Sequence, residues 1–246
     1  MKRGLLIAGG IGAGVGLGVA VAAAARRRRR LQKAPPPLER RADRCPADLE
    51  PRGEAEGVVF RAYSPPNPGP HPIVLMHGRG GSEDLMFDAL ADIALPAVQF
   101  YPRGPLAMGR HFAWAQPRST APAWPDDQAK AVEGMRRFIA WVGRCYGKPI
   151  VAGHSQGAQM AFGMAVAYPE LLHAAVGASG ALTPALWRRP GVPVVAVHGT
   201  EDGVVPVEGT RRMRDELGVE IVEVEGHGHS LLAGLKAAFV EQLVRA

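Results

Sequence analysis

Ser155 stands in Gly153-His154-Ser155-Gln156-Gly157, a G-x-S-x-G string. A chain with 31 glycines can produce such a string by chance, so its setting has to carry the argument. The apolar run before it, Pro149 to Gly153, reads as a strand, and the sequence from Gln156 onward reads as a helix. A turn that sharp strains the serine backbone and lifts the hydroxyl clear of the sheet. Glycines on either side are needed because side chains there would collide across the turn. The helix N-terminus favours negative charge developing beside the serine. A serine hydroxyl is a poor nucleophile until a base takes its proton, and an imidazole base needs a carboxylate to orient it. The chain offers Asp202, in Gly199-Thr200-Glu201-Asp202-Gly203-Val204-Val205-Pro206, and His229, in Gly226-His227-Gly228-His229.

Each choice has a rival. His227 has a glycine on both sides and is expected to be poorly fixed, facing solvent or the rim of the site. His229 immediately precedes Ser230 and a final helix, a position better able to hold an imidazole. Glu201 adjoins Asp202 and could replace it as the acid. Ser179, in Gly177-Ala178-Ser179-Gly180, follows a strand but lacks a glycine two residues on and reads as a packed turn. His77, His154 and His198 fall at strand ends, where they would orient loops by hydrogen bonds. Asp127 begins a helix, where an acidic residue matches the helix dipole.

The elements that must position these residues follow from hydrophobic periodicity. From Gly57 on, short β-branched runs alternate with longer amphipathic ones, as in a mostly parallel sheet covered by helices. Strands are expected at Val58 to Tyr63, Ile73 to Met76, Ala97 to Tyr101, Ile150 to Gly153, Ala174 to Ala178, Val194 to His198 and Glu220 to Val224. Helices are expected at Ser82 to Asp92, Asp126 to Tyr146, Gln156 to Tyr168, Val207 to Leu217 and Ser230 to Val244. Several strands are continuous apolar runs, which burial on both faces requires. The class is therefore α/β with about seven strands. Ligands of such sheets bind beyond the carboxyl ends of the strands, and the candidate residues all lie there.

The order Ser-Asp-His is the one found on α/β-hydrolase sheets. With His77-Gly78 and the glycines behind it, the Gly-His-Ser-Gln-Gly turn, His-Gly-Thr-Glu-Asp-Gly-Val-Val-Pro and the Gly-x-Gly-His ending at His229, the chain resembles the phospholipase/carboxylesterase group of α/β-hydrolases, which includes the acyl-protein thioesterases. The resemblance covers roughly residues 57 to 246. It implies that Ser155, Asp202 and His229 form a catalytic triad and that the backbone amides of Arg79 and Gln156 form the oxyanion hole. It also favours Asp202 over Glu201. Arg79 is a departure, since an apolar residue is common there, but the hole needs only its amide.

The segment Pro102 to Pro125 is long and Pro-rich and carries Met108, Phe112, Trp114 and Trp124 without a clear period, so it is the candidate wall for the acyl or alcohol group. No insertion could form a separate lid domain, which argues for an open, small-substrate site.

Composition limits the alternatives. The formal charge is +6, but the first 33 residues hold 8 of the 29 Lys and Arg and no acid, leaving 21 bases against 23 acids in the body. The basic excess sits at one terminus and not on a folded face, so no nucleic-acid partner is expected. Gly4 to Ala25 is uncharged and, as a helix, about 33 Å long, enough to cross a hydrocarbon core of about 30 Å. Arg26 to Arg30 follow it directly, a bias that favours a retained anchor with the body in the cytoplasm, an exported enzyme being the alternative. The expected organisation is an N-terminal hydrophobic anchor or signal segment over 1–30, a Pro- and charge-rich linker over 31–55 and a hydrolase domain over 56–246. Cys45 and Cys145 lack metal-ligand spacing and allow at most one disulfide. No metal or organic cofactor is implied. The leading expectation is cleavage of a small or medium carboxylic ester or thioester through an acyl-enzyme. An acyltransferase with the same triad, or a non-catalytic membrane-tethered binding protein on this fold, are the alternatives.

Overall fold

The computed structural model describes residues 45–46, 48–116, 124–183 and 186–246. The proposed anchor and most of the linker lie outside them. Among the described residues no helix is long and apolar enough to cross a membrane.

Eight strands form one mixed sheet. They are β1 (Arg52–Ala55), β2 (Val58–Tyr63), β3 (Ile73–Met76), β4 (Gln99–Pro102), β7 (Ile150–His154), β8 (Ala174–Ala178), β9 (Val194–Gly199) and β10 (Glu220–Val224), in the order β1-β2-β4-β3-β7-β8-β9-β10. The two shortest strands, β5 (Leu106–Met108) and β6 (His111–Ala113), pair as a separate hairpin. From β4 through β10 every pairing in the main sheet is parallel, and β2 is antiparallel to both of its neighbours. The seven strands expected from periodicity are all present. The eighth, β1, falls within the stretch read as linker and extends the sheet at its edge.

The strands β3 and β8 are apolar along their length and β7 is apolar up to His154, and both faces are covered. On one face, Ile73, Leu75, Ala152, Val176 and Val197 pack with Met86 and Leu90 of helix α1 (Glu83–Leu90) and with Leu235, Phe239 and Leu243 near the C-terminus. The alternate side chains point the other way, as strand geometry demands. There Phe162 of α3 (Gln156–Ala167) presses so closely on Gly177 of β8 that an added Cβ would lie 2.3 Å from its ring. Gly163 on the same helix meets Val132 of α2 (Trp124–Tyr146). Helices α4 (Val207–Leu217) and α5 (Lys236–Arg245) complete the order, and a π-helical turn, Leu231–Leu235, leads into α5.

Two helices have legible ends. Ser82 caps α1, its hydroxyl accepting from the Leu85 amide at 3.1 Å, and Gly218 closes α4 in the left-handed conformation, at φ 71°. Cys45 is bonded to Cys145 near the end of α2, with Cα atoms 5.3 Å apart and a sequence separation of 100.

A crosslink that closes so long a loop restricts the unfolded chain and stabilises the fold. Replacing Cys45 and Cys145 together by serine should lower the unfolding free energy by about 2–4 kcal/mol, read as a fall in the urea midpoint. An unchanged midpoint would mean that the bond contributes nothing to stability.

Candidate active site

The carboxyl ends of five parallel strands meet at one edge of the sheet. In register, Met76 of β3 lies beside Gly153 of β7, and His154 beside Ala178 of β8. These pairings bring the loop His77–Gly81 against the turn at Ser155. Ser155 adopts φ 54° and ψ −113°, a strained conformation for a residue with a side chain. The turn is tight enough that an added Cβ on Gly157 would sit 2.1 Å from the Met76 carbonyl oxygen, and one on Gly153 2.4 Å from the Gly157 backbone. Both glycines are thus required by close approach.

Ser155 is only partly buried. His229 Nε2 lies 3.0 Å from Ser155 Oγ, and His229 Nδ1 lies 2.8 Å from Asp202 Oδ2. The three residues converge from the ends of β7, β9 and β10. Asp202 has no exposed side-chain surface, and its carboxylate collects donors from several directions. The amides of Val204 and Val205 donate to Oδ1 at 2.9 and 2.8 Å, while the two imidazoles of His229 and His198 approach Oδ2 at 2.8 and 3.2 Å. Burial pushes the Asp202 carboxyl up, but the bonds from Val205, His229 and Val204 outweigh it and hold its pKa below the ordinary value. The arrangement presents a hydroxyl to an imidazole whose far nitrogen is held by an ionised carboxylate.

The loop at the end of β3 abuts the serine, with an added Cβ on Gly78 lying 3.4 Å from Ser155 Cβ. Arg79 follows it, exposed, and Gln156 is the first residue of α3. Among the described residues neither of their backbone amides is engaged in a hydrogen bond. Gln156 is held from its side chain: Oε1 accepts from the Trp114 amide and Nε2 donates to the Ala115 carbonyl, both at 2.8 Å.

His77 Nδ1 donates to the Gly78 carbonyl at 2.8 Å, and its Nε2 accepts from the Gly104 amide. Burial lowers its pKa. His154 Nε2 donates to the His229 carbonyl at 2.8 Å, and burial lowers its pKa also. Both imidazoles therefore tie site loops together, as their positions at strand ends suggested. Ser179 is fully buried, and its hydroxyl has no hydrogen-bond partner among the described residues. His227 differs from expectation. It is fixed, not loose: Nδ1 lies 2.7 Å from the Glu225 carbonyl, and its ring packs on Gly234, where an added Cβ would fall 1.7 Å from it. The absent side chain at Gly234 makes this seat, and nothing in the local sequence around residue 227 signals it.

Of the four expected wall residues, Phe112 and Trp114 line a cavity of about 700 Å³ together with Val59, Leu106, Arg103 and Met135. Ser155 and His229 are not part of that lining. Trp114 is also structural, its indole N–H donating to the His77 carbonyl at 2.8 Å. Met108 is exposed on the β5–β6 hairpin. The side chain of Trp124 lies outside the described residues. Sequence reasoning missed the hairpin itself, which carries the Phe112 carbonyl to the Gly80 amide and so braces the loop of Arg79. Among the described residues no cluster of side chains could hold a metal ion.

Residues 60–233 match the phospholipase/carboxylesterase family. The chain belongs to that family. No curated protein matches it significantly in sequence. Among solved structures, it is similar to a carboxylesterase from Mesorhizobium loti at 17% identity, covering 80% of this chain and 100% of that one with a TM-score of 0.66. It is similar to a carboxylesterase from Bacillus cereus at 16% identity, covering 76% and 94% with a TM-score of 0.64. A third likeness is to acyl-protein thioesterase 2 of Zea mays, at 20% identity, covering 76% and 97% with a TM-score of 0.56. The α/β-hydrolase fold is thus established, with no separate lid among the described residues, and the family is one of ester hydrolases.

Because its native pKa lies below the ordinary carboxylate value, Asp202 adds stability that is fully present above its unfolded pKa of about 3.9 and is lost as pH falls through the native value. Urea midpoints measured between pH 6 and 3 should therefore fall less steeply for Asp202→Asn than for the native chain, and equal slopes would contradict the account of this carboxylate.

Proposed function

We propose that this protein is a serine esterase that cleaves a carboxylic ester or thioester of small or medium acyl chain through an acyl-enzyme. The observation that carries the reading is the unbroken run of short contacts from Ser155 Oγ through the His229 imidazole to the Asp202 carboxylate. In this mechanism Ser155 Oγ attacks the acyl carbon while its proton passes to His229 Nε2, and Asp202 steadies the imidazolium. The amides of Arg79 and Gln156 receive the oxyanion. Collapse of the tetrahedral adduct expels the alcohol or thiol, which takes the proton from His229 and leaves the acyl group on Ser155. Water then attacks that ester with His229 as its base, releasing the acid and restoring the hydroxyl.

The proposal extends to the wall of the substrate site, formed by Met108, Phe112, Trp114 and Trp124. The cavity at Phe112 and Trp114 supports that assignment for two of the four. The absence of a lid domain among the described residues favours soluble short esters over aggregated lipid. For localisation we propose anchoring through residues 4–25. Disulfides persist in oxidising compartments and are rare in the cytosol, so the Cys45–Cys145 bond supports the exported alternative against the cytoplasmic side favoured by the arginine run. Alkylation of intact cells followed by mass spectrometry should find the two cysteines bonded. Two alkylated thiols would return the domain to the cytoplasm.

Full-length protein in mild detergent should hydrolyse p-nitrophenyl butyrate faster than p-nitrophenyl palmitate and react with a fluorophosphonate probe. Ser155→Ala should abolish the labelling and lower kcat by roughly 10⁶-fold, as loss of a triad nucleophile does. Labelling that persists in the variant would refute the assignment of the nucleophile. His229→Ala should cost nearly as much, while His227→Ala should cost about tenfold or less. The reverse ranking would mean that the wrong histidine has been placed in the triad.

A further inference from the structure

His198, the last residue but one of β9, is completely buried and takes no part in the chemistry described above. It nevertheless faces the acid of the proposed triad. Its Nε2 lies 2.8 Å from the Val205 carbonyl and 3.2 Å from Asp202 Oδ2, two groups that can only accept. That nitrogen must therefore carry a proton. On the other side of the ring, Nδ1 lies 2.8 Å from Thr210 Oγ1 on α4, and that hydroxyl also lies 3.1 Å from the Gly180 carbonyl at the end of β8. Thr210 has a single proton to give. If it goes to Nδ1, His198 is the neutral tautomer protonated at Nε2. If it goes to Gly180, both ring nitrogens are protonated. In either case Nε2–H is donated to the Val205 carbonyl, with Asp202 Oδ2 3.2 Å from the same nitrogen.

The consequence is a double brace. Val204 and Val205 give their amides to Asp202 Oδ1, so the turn 202–205 is what fixes one carboxylate oxygen. His198 holds that turn by the Val205 carbonyl, and its Nε2 stands 3.2 Å from the other carboxylate oxygen. With Oδ1 pinned by two amides and Oδ2 touched by His198, the carboxylate cannot rotate without breaking buried hydrogen bonds, and a lone pair on Oδ2 stays directed at His229 Nδ1. A buried polar group left without its partner costs more than the bond it would make, so each of these contacts enforces the others.

We infer that His198 is a positioning residue for ester cleavage, acting through Asp202 to hold the carboxylate in the orientation that His229 needs. The inference rests on the triad reading and adds to it a fourth side chain that touches neither substrate nor nucleophile. It predicts an effect on the chemical step and little on substrate binding. Misplacement of a catalytic group by about an ångström costs on the order of 10²-fold.

Two substitutions separate the braces. In His198→Gln the terminal amide stands near the place of Nε2 and can still donate to the Val205 carbonyl beside Asp202. In His198→Asn the amide stands near the place of Nδ1 and faces Thr210 instead. With p-nitrophenyl butyrate and full-length protein, rates taken per fluorophosphonate-titrated site count only folded enzyme. His198→Asn should lower kcat about 10²-fold with KM within about twofold, and His198→Gln should recover at least about tenfold of that loss. In an Asp202→Asn background, His198→Asn should cost little more, because the carboxylate through which it acts is gone.

If His198→Asn yields too little folded protein to titrate, Thr210→Val replaces it. That variant leaves the imidazole in place and should lower kcat several-fold at unchanged KM, again only when Asp202 is intact. Full activity of the testable variant, a loss confined to KM, or equal losses with and without Asp202 would overturn the inference. A fully active Ser155→Ala would overturn the triad reading and this inference with it, whereas an inactive Ser155→Ala beside a fully active His198→Asn would overturn the inference alone.

Discussion

The site depends on how closely the turn at Ser155 passes the end of β3. The Gly157 α-carbon lies against the Met76 carbonyl with no room for a Cβ, and Gly153 is crowded by Gly157 in turn. That contact does three things at once. It forces Ser155 into a conformation that projects its hydroxyl, it starts α3 at Gln156 with a free amide beside that hydroxyl, and it brings the loop after β3 within reach of the same oxygen. A parallel pairing of β3 with β7 in any other register would separate these groups.

Around this fixed point the other strand ends supply what a serine alone lacks. β9 delivers Asp202 already saturated with donors, and β10 delivers His229 on a loop tied to His154 through its own carbonyl. The histidines at the ends of β3, β7 and β9 spend their hydrogen bonds on backbone groups of the site loops and, at His198, on the Thr210 hydroxyl as well. Chemistry at the rim is thus supported by a layer of buried polar contacts directly beneath it. Such a layer is stable only when complete, which explains why the imidazoles of His77, His154 and His198 are each held by specific partners.

Much of this was legible in the residues. Periodicity located seven of the sheet's eight strands and their helices, because burial on both faces leaves a continuous apolar run in central strands such as β3 and β8. The motif glycines and the order of Ser155, Asp202 and His229 located the site for a related reason, since close backbone approach admits only glycine. What escaped notice lacked such a signature. β1 is an edge strand of sequence Arg-Gly-Glu-Ala that buries little, and the strands β5 and β6 are three residues long, below the span at which alternation can be read. The seat of His227 on Gly234 and the brace of Asp202 by His198 are tertiary contacts between residues whose local sequence gives no hint of the meeting. The disulfide was open for the same reason, as spacing permits a bond but only the fold brings Cys45 to Cys145.

The central claim is that the acyl group is carried transiently on one particular oxygen. Rapid acid quenching of the enzyme during turnover of a slowly deacylated p-nitrophenyl ester, followed by peptide mass spectrometry, tests it directly. The account predicts a burst of nitrophenol and an acyl mass increment on the peptide containing Ser155, placed on the serine by fragmentation. An increment on any other residue, or turnover with neither a burst nor an adduct, would contradict it.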